Sequence, residues 1–134
     1  MMVLDASVVI AWAYRDEQDN LDSLIRQVAA SVAFVPVHWI LEITNTLLNS
    51  ERRGRLKAGQ RQEILASIQL LPIRTDDEAW LRGWDAIPAL AHRYRLTTYD
   101  AAYLELAMRL QAPLATLDQD LARAARQAGV PLFE

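Results

Sequence analysis

Residues 3–12 read VLDASVVIAW, two apolar runs separated by the polar residues Asp5 and Ser7. The short apolar run at residues 2–4 predicts a buried strand that ends directly before Asp5. A second apolar run, at residues 8–12, predicts a helix that is capped at its N-terminus by Asp5 or Ser7. A buried strand that leads directly into a helix is typical of a parallel α/β sheet.

The same alternation of short strands and helices continues along the rest of the chain. A charged break at residues 15–20 precedes a helical pattern, and Pro36 is expected to stop the second strand. Further strands are predicted at residues 33–35, 72–74, 114–117 and 130–132. Further helices are predicted at residues 38–52, 58–69, 79–94, 100–110 and 119–127, the third of them bent or divided near Gly83 and Pro88. We therefore predict one α/β domain over residues 1–134, with four to five short, mostly parallel strands covered by helices on both faces.

The composition excludes several kinds of site. The chain has no cysteine, so it has no disulfide and no thiolate metal site, and its two histidines argue against a histidine-rich zinc site. A formal net charge of −3 argues against nucleic-acid binding through a broad basic face, but not against binding through bound cations. No apolar run approaches the ~20 residues of a membrane span. Asp5 lies where a signal peptide would need a basic segment followed by a longer apolar one, so a cytoplasmic location is expected.

Four acidic residues lie where predicted strands lead into helices. Asp5 follows the first strand, Asp118 follows the fourth, Asp100 begins a helix, and Glu42 lies early in the helix after the second strand. The carboxyl ends of parallel strands form the ligand-binding edge of such a sheet, so these acids are expected to gather there. Gathered carboxylates repel each other unless cations bridge them, and oxygen-only ligands suit Mg²⁺ or Mn²⁺. Such ions activate water and stabilise the leaving oxygen in phosphodiester hydrolysis.

Each acid also has a simpler interpretation. Asp5, Asp100 and Asp118 all stand at predicted helix starts, where aspartate is a favoured N-cap, and for any one of them capping is the better explanation. Glu42 has apolar neighbours, which indicates a packed helix in which an unpaired carboxylate is costly. Alternatively, Glu42 lies on a stripe of that helix that faces the solvent. The combination of all four at strand ends favours a metal site.

Four stretches of the chain resemble one known family. They are VLDASVVIAW (3–12), VPVHWILEITNTL (35–47), LTTYDAAYLELAMRL (96–110) and APLATLDQDLARAARQAGV (112–130). In their order and spacing they resemble the PIN-domain ribonucleases, and most closely the VapC-type toxins of bacterial type II toxin–antitoxin pairs. The resemblance covers nearly the whole chain.

This resemblance implies a PIN-like three-layer α/β/α sandwich and a Mg²⁺- or Mn²⁺-dependent endoribonuclease that cuts structured RNA, often transfer or ribosomal RNA. It also implies an antitoxin that blocks the site, and a homodimer. The residues that match the family's metal ligands are Asp5, Glu42, Asp100 and Asp118. Possible accessory residues are Ser7, Asn45, Thr116 and Asp120, although Ser7 is equally a candidate helix cap and Asp120 is better explained as a solvent-facing helix residue. Asn45, one turn beyond Glu42, is expected to orient that carboxylate.

Two other functions compete with the nuclease. A metal phosphohydrolase that forms an aspartyl-phosphate usually has a second aspartate two residues after the first, but here position 7 is Ser, and the only lysine, Lys57, is far from any late strand end. A non-catalytic protein-binding module is the third possibility, in which the acids serve only as helix caps.

Overall fold

The computed structural model describes residues 1–14 and 19–133, so residues 15–18 of the predicted charged break lie outside the described residues. The strands are β1 (Met2–Leu4), β2 (Ala33–Pro36), β3 (Ile73–Asp76) and β4 (Leu114–Ala115). The helices are α1 (Ala6–Ala13), α2 (Asp19–Ala29), α3 (Trp39–Arg52), α4 (Ala58–Gln69), α5 (Ala79–Arg82), α6 (Ala86–Tyr94), α7 (Thr98–Leu110) and α8 (Gln119–Gln127). The predicted alternation of strands and helices is confirmed.

The four strands form one parallel sheet in the order β3-β2-β1-β4. From β1 the chain builds outward through β2 to β3, and it then returns to place β4 on the other side of β1. The order therefore reverses between β1 and β4, and in such sheets ligands bind in the crevice beyond the strand ends at this point. Asp5 follows β1 and Thr116 follows β4, so both residues stand at this crevice.

Helices cover both faces of the sheet. Consecutive residues of a strand point to opposite faces of the sheet. Since all three residues of β1 are at most 1% exposed, both faces are covered at this strand. Helix α7 packs directly on β1, β2 and β4, with α6 and α8 against it, while α1 contacts α2 and α3. The predicted α/β architecture with a parallel central sheet and flanking helices is confirmed.

The strand boundaries differ from the prediction in four places. The second strand is not stopped before Pro36 but includes it, Ala33–Pro36 instead of 33–35, because Pro36 pairs in parallel register with Asp76 of β3. The third strand is Ile73–Asp76 instead of 72–74, because β2 continues through Pro36, which pairs in register with Asp76. The fourth strand ends at Ala115 instead of residue 117. The backbone N–H groups of Leu117 and Asp118 donate to the side-chain hydroxyls of Ser7 and Thr116 instead of to a neighbouring strand. The predicted final strand is reduced to a single parallel bridge between Leu114 and Leu132.

The helix boundaries follow the predicted signals closely. The long helix predicted at residues 79–94 is divided into α5 and α6, with Gly83 at the end of α5 and Pro88 in the first turn of α6, where its missing N–H is tolerated. Helix α7 begins earlier than predicted, at Thr98, with Thr97 as its cap. None of the helices in the described part of the chain combines the length and the apolarity needed to cross a membrane.

Candidate metal centre

Asp5 lies at the junction of β1 and α1 and is only 4% exposed. It occupies the N-cap position of α1, but its side chain makes no capping hydrogen bond. Its Oδ2 instead accepts hydrogen bonds from Ser7 Oγ at 2.6 Å and from Thr116 Oγ1 at 2.7 Å. Burial raises the pKa of the Asp5 carboxyl; the charges of Glu42 and Asp118 raise it further, while the two hydroxyl groups oppose the shift.

Glu42 lies in the first turn of α3, with its side chain 35% exposed. Its Oε1 accepts a hydrogen bond from the Tyr103 hydroxyl at 2.7 Å and lies 3.1 Å from His38 Nε2. Tyr103 is completely buried, and its ring meets the His38 ring edge-on with centroids 5.2 Å apart. Burial and the nearby carboxylate charges raise the pKa of Tyr103, so its hydroxyl stays protonated and remains a donor to Glu42.

Asp100 and Asp118 differ in their relation to their helices. The backbone N–H of Asp100 donates to Thr97 Oγ1, so Thr97 is the cap of α7 and the capping interpretation of Asp100 is wrong. Asp118 does cap α8, because its Oδ1 accepts a hydrogen bond from the Leu121 N–H at 2.8 Å. Burial raises the pKa of the half-buried Asp100 carboxyl to about 6, and the charges of Asp118, Asp5 and Glu42 add to the shift, whereas His38 opposes it.

The four acids form one electrostatic cluster at the crevice between β1 and β4. The carboxylate of Asp5 is affected by those of Glu42 and Asp118, and that of Asp100 by all three others. Among residues 1–14 and 19–133, no arginine or lysine forms an ion pair with any of them, and only His38 approaches one, Glu42. The cluster therefore carries negative charge that basic side chains of the described chain do not neutralise.

The donor chemistry of this cluster fits a hard divalent cation, because all four side chains are carboxylates. In the conformation described, however, no three histidine, aspartate or glutamate side chains of the described residues are grouped tightly enough to hold one ion. Two of the carboxylates are turned toward protein donors, Glu42 toward Tyr103 and Asp118 toward the start of α8. The second oxygen of each of these two carboxylates accepts no hydrogen bond from the described residues and is available to a ligand.

The predicted accessory residues divide into two pairs. Ser7 lies inside α1 and is not its cap; Ser7 and Thr116 both donate hydrogen bonds to Asp5. Asn45 makes no hydrogen bond to Glu42 within the described chain. Asp120 is a solvent-facing residue of α8 with a 78% exposed side chain, 3.9 Å from Arg123.

The orienting contacts to Glu42 come from two residues that the sequence analysis did not single out for this role. They are Tyr103 and His38, which belong to different segments of the chain, 61 residues from Glu42 and four residues before it. The available signal was Tyr103 itself: it stands in an alanine- and leucine-rich helix, and a buried tyrosine hydroxyl usually has a hydrogen-bond partner.

We expect the Asp100→Asn variant of the metal-free protein to be more stable than the wild type at pH 7. The folded-state pKa of Asp100, about 6, lies above its ordinary value of 3.8, so the folded state binds the proton more tightly. The stabilisation of the fold by the proton bound at Asp100 is fully present below pH 3.8 and is lost as the pH rises through 6. After allowance for solvent screening, the difference at pH 7 is about 1 kcal/mol.

The measurement is thermal unfolding of both proteins in EDTA between pH 4 and pH 7. The difference in Tm between variant and wild type is expected to be small near pH 4 and to grow toward pH 7. A difference that stays constant across this range would show that repulsion at Asp100 does not destabilise the fold.

Comparison with known proteins identifies the family. The family model of the PIN domain matches residues 2–127. The crystal structure of PAE2754 from Pyrobaculum aerophilum has a TM-score of 0.65 and 23% identity, covering 92% of this chain and 83% of that one. The crystal structure of FitAcB from Neisseria gonorrhoeae also has a TM-score of 0.65, with 17% identity over 100% of this chain and 97% of that one. No curated protein sequence matches the chain. At these identities the two structures show a shared fold, whereas the family match shows that the chain belongs to the PIN domain family, whose members are generally nucleases.

Proposed function

We propose that this protein is a single-domain, metal-dependent endoribonuclease in which Asp5, Glu42, Asp100 and Asp118 hold Mg²⁺ or Mn²⁺. The observation that carries the proposal is the cluster of four carboxylates at the β1–β4 crevice, where no arginine or lysine of the described residues neutralises them. An RNA phosphodiester would be repelled by this charge in the absence of a cation. When bound, the cation supplies compensating positive charge and lowers the pKa of the attacking water.

The protein's own side chains hold the acids in place for this role. The hydroxyls of Ser7 and Thr116 fix one oxygen of Asp5, while its Oδ1 accepts no hydrogen bond from the described residues and is available to a ligand. Tyr103 and His38 both contact Oε1 of Glu42, at 2.7 and 3.1 Å. Such outer contacts set the orientation and basicity of ligating carboxylates.

We further propose that the protein is the toxin of a VapC-type type II toxin–antitoxin pair. The support is the resemblance of the four stretches that contain the acids to those toxins. On this proposal the substrate is transfer or ribosomal RNA, the cognate antitoxin blocks the acid cluster, and the enzyme acts in the cytoplasm as a homodimer. The aspartyl-phosphate alternative is less well supported, because the residue two positions after Asp5 is Ser7, whose hydroxyl donates to Asp5.

The test is cleavage of a total-RNA pool by the purified, partner-free protein. The reactions contain Mg²⁺, Mn²⁺ or EDTA, and Asp100→Asn is assayed in parallel after its fold has been verified by circular dichroism. We expect discrete fragments with either metal, and none with EDTA or with the variant. No cleavage by the wild type, together with no metal binding in calorimetry, would contradict the proposal and leave the non-catalytic binding module as the better interpretation.

A further inference from the structure

An open cleft of about 690 Å³ adjoins the acid cluster, between α3 and the start of α7. Glu42 and Asp100 form part of its lining, so it is continuous with the proposed metal centre. Its size is within the range of small-molecule clefts, about 300–1,000 Å³. A group that binds here would therefore lie directly beside a phosphodiester held at the acids.

The other walls of the cleft are largely apolar and aromatic. Leu41 and Leu48 line it from α3, and Leu41 is 67% exposed although it is a large apolar residue. Tyr99 lines it from α7 and is 65% exposed. No arginine or lysine is among the lining residues, so the cleft has no side chain that would follow a phosphate backbone.

His38 contacts Tyr99 at both its backbone and its ring, and most of the Tyr99 residue stays exposed. Its backbone carbonyl lies 3.0 Å from His38 Nε2, and the two rings are tilted by 55° with centroids 5.7 Å apart. The Tyr99 hydroxyl makes no hydrogen bond to any of residues 1–14 and 19–133. An exposed ring held in this way at the mouth of a cleft is a suitable surface for stacking.

We propose that this cleft binds the unpaired nucleobase of the nucleotide adjacent to the scissile phosphodiester, with the base stacked on Tyr99. The inference rests on the proposed nuclease function and specifies its substrate. Base–aromatic stacking requires only a π-face, whereas the Asn45 amide, which lines the cleft and makes no hydrogen bond within the described chain, can pair with a base edge.

The same inference concerns the secondary structure of the RNA that is cut. A base inside a duplex is stacked on both faces and paired along one edge, so it cannot enter the cleft, whereas loops and single-stranded ends present splayed bases. An apolar side chain of a protein partner would also contact Leu41 and Leu48. The aromatic ring and the continuity with the acids favour the base, because RNA seated on the acids places its next nucleotide at this position.

The experiment uses a short synthetic RNA that contains the main cleavage site found in the total-RNA assay. Abasic versions lack the base on one side or the other of the scissile bond. These substrates are cleaved by the wild type, by Tyr99→Leu and by Tyr99→Trp. The matched control is Trp84→Leu, which removes an 80% exposed aromatic residue that does not line the cleft.

For the wild type, we expect removal of one of the two flanking bases to lower kcat/KM by roughly 5- to 100-fold, mainly through KM. Tyr99→Leu should lower kcat/KM on the intact RNA by a similar factor. Removal of that base should then lower the kcat/KM of this variant no further, because the base and the Tyr99 ring form one and the same contact. Tyr99→Trp should restore most of the activity, and Trp84→Leu should cleave like the wild type.

Two outcomes would overturn the inference in distinguishable ways. If the wild type cleaves no RNA in the first assay, the nuclease proposal fails and this inference fails with it. If the wild type cleaves both abasic RNAs and the intact RNA equally well, or if Trp84→Leu is as defective as Tyr99→Leu, only the base-binding site is wrong. The cleft would then be better explained as a contact for a protein partner.

Discussion

Asp5→Asn is expected to lower the rate of RNA cleavage by about 100-fold or more while raising the Tm of the metal-free protein. Asp5 is the most buried of the four acids, and burial together with the neighbouring carboxylates raises its pKa. An asparagine keeps an oxygen that accepts from Ser7 and Thr116, but it removes the buried charge. The same substitution therefore weakens cation binding and relieves repulsion in the fold.

This prediction is checked by single-turnover cleavage kinetics and by thermal unfolding in EDTA. Added Mn²⁺ should raise the Tm of the wild type more than that of Asp5→Asn, because binding to the folded state stabilises it. The matched control is Asp85→Asn, an exposed carboxylate in the turn before α6, which should cleave like the wild type. An Asp5→Asn protein that retains full activity, or one that loses activity only because it unfolds, would contradict a metal-ligand role.

Arg109→Leu is expected to produce the largest loss of stability, about 3–5 kcal/mol. Arg109 donates two hydrogen bonds to Asp76, at 2.8 and 3.0 Å, and one of 2.9 Å to Glu105 Oε1. The side chains of Glu105, Asp76 and Arg109 are only 8%, 14% and 17% exposed. Removing the cation leaves the largely buried Asp76 without its ion pair and leaves Glu105 with only the more exposed Arg82, whose Nε lies 3.4 Å from Glu105 Oε1.

This network lies at the end of β3 and ties α7 to the sheet. Its contribution to stability also depends on pH: hydrogen bonds from Arg109 hold the pKa of Asp76 below its ordinary value of 3.8. The stabilisation by Asp76 is therefore present above pH 3.8 and is lost as the pH falls below that value. Ionisation of Asp100 has the opposite effect: it lowers the stability of the fold as the pH rises from 3.8 to 6. The metal-free protein should therefore be most stable in mildly acid solution.

Urea unfolding at pH 7 measures the effect of Arg109→Leu. Arg126→Leu, which removes an exposed arginine from the last turn of α8, is the control and should change the free energy of unfolding by no more than about 0.5 kcal/mol. Arg109→Lys should lie between the two, because lysine keeps the charge but cannot reproduce the fork of the guanidinium group. A loss of less than about 1 kcal/mol in Arg109→Leu would show that the network contributes little.

Two interactions were not predictable from the sequence, for the same physical reason. Glu105 and Arg109 read as an ordinary i,i+4 pair on a helix surface, and only the pairing of β2 with β3 brings Asp76 against them. Tyr103 and Glu42 are 61 residues apart, and their hydrogen bond exists because the packing of α7 on β1 and β2 brings Tyr103 to the first turn of α3. Contacts of this kind depend on the angles at which elements pack, which local patterns do not specify.

The α/β class, the order of the elements and the position of each acid at the end of a strand or the start of a helix could all be predicted from local sequence patterns. These features follow from apolar periodicity and from capping and turn residues, which act over a few neighbours along the chain. Only tertiary packing brings the four carboxylates within electrostatic reach of one another, makes Thr97 rather than Asp100 the cap of α7, and places Tyr103 and His38 against Glu42. Those outcomes depend on strand order and on helix packing across the sheet, where residues far apart in the chain meet and where burial, rather than local propensity, sets the energy of a charged group.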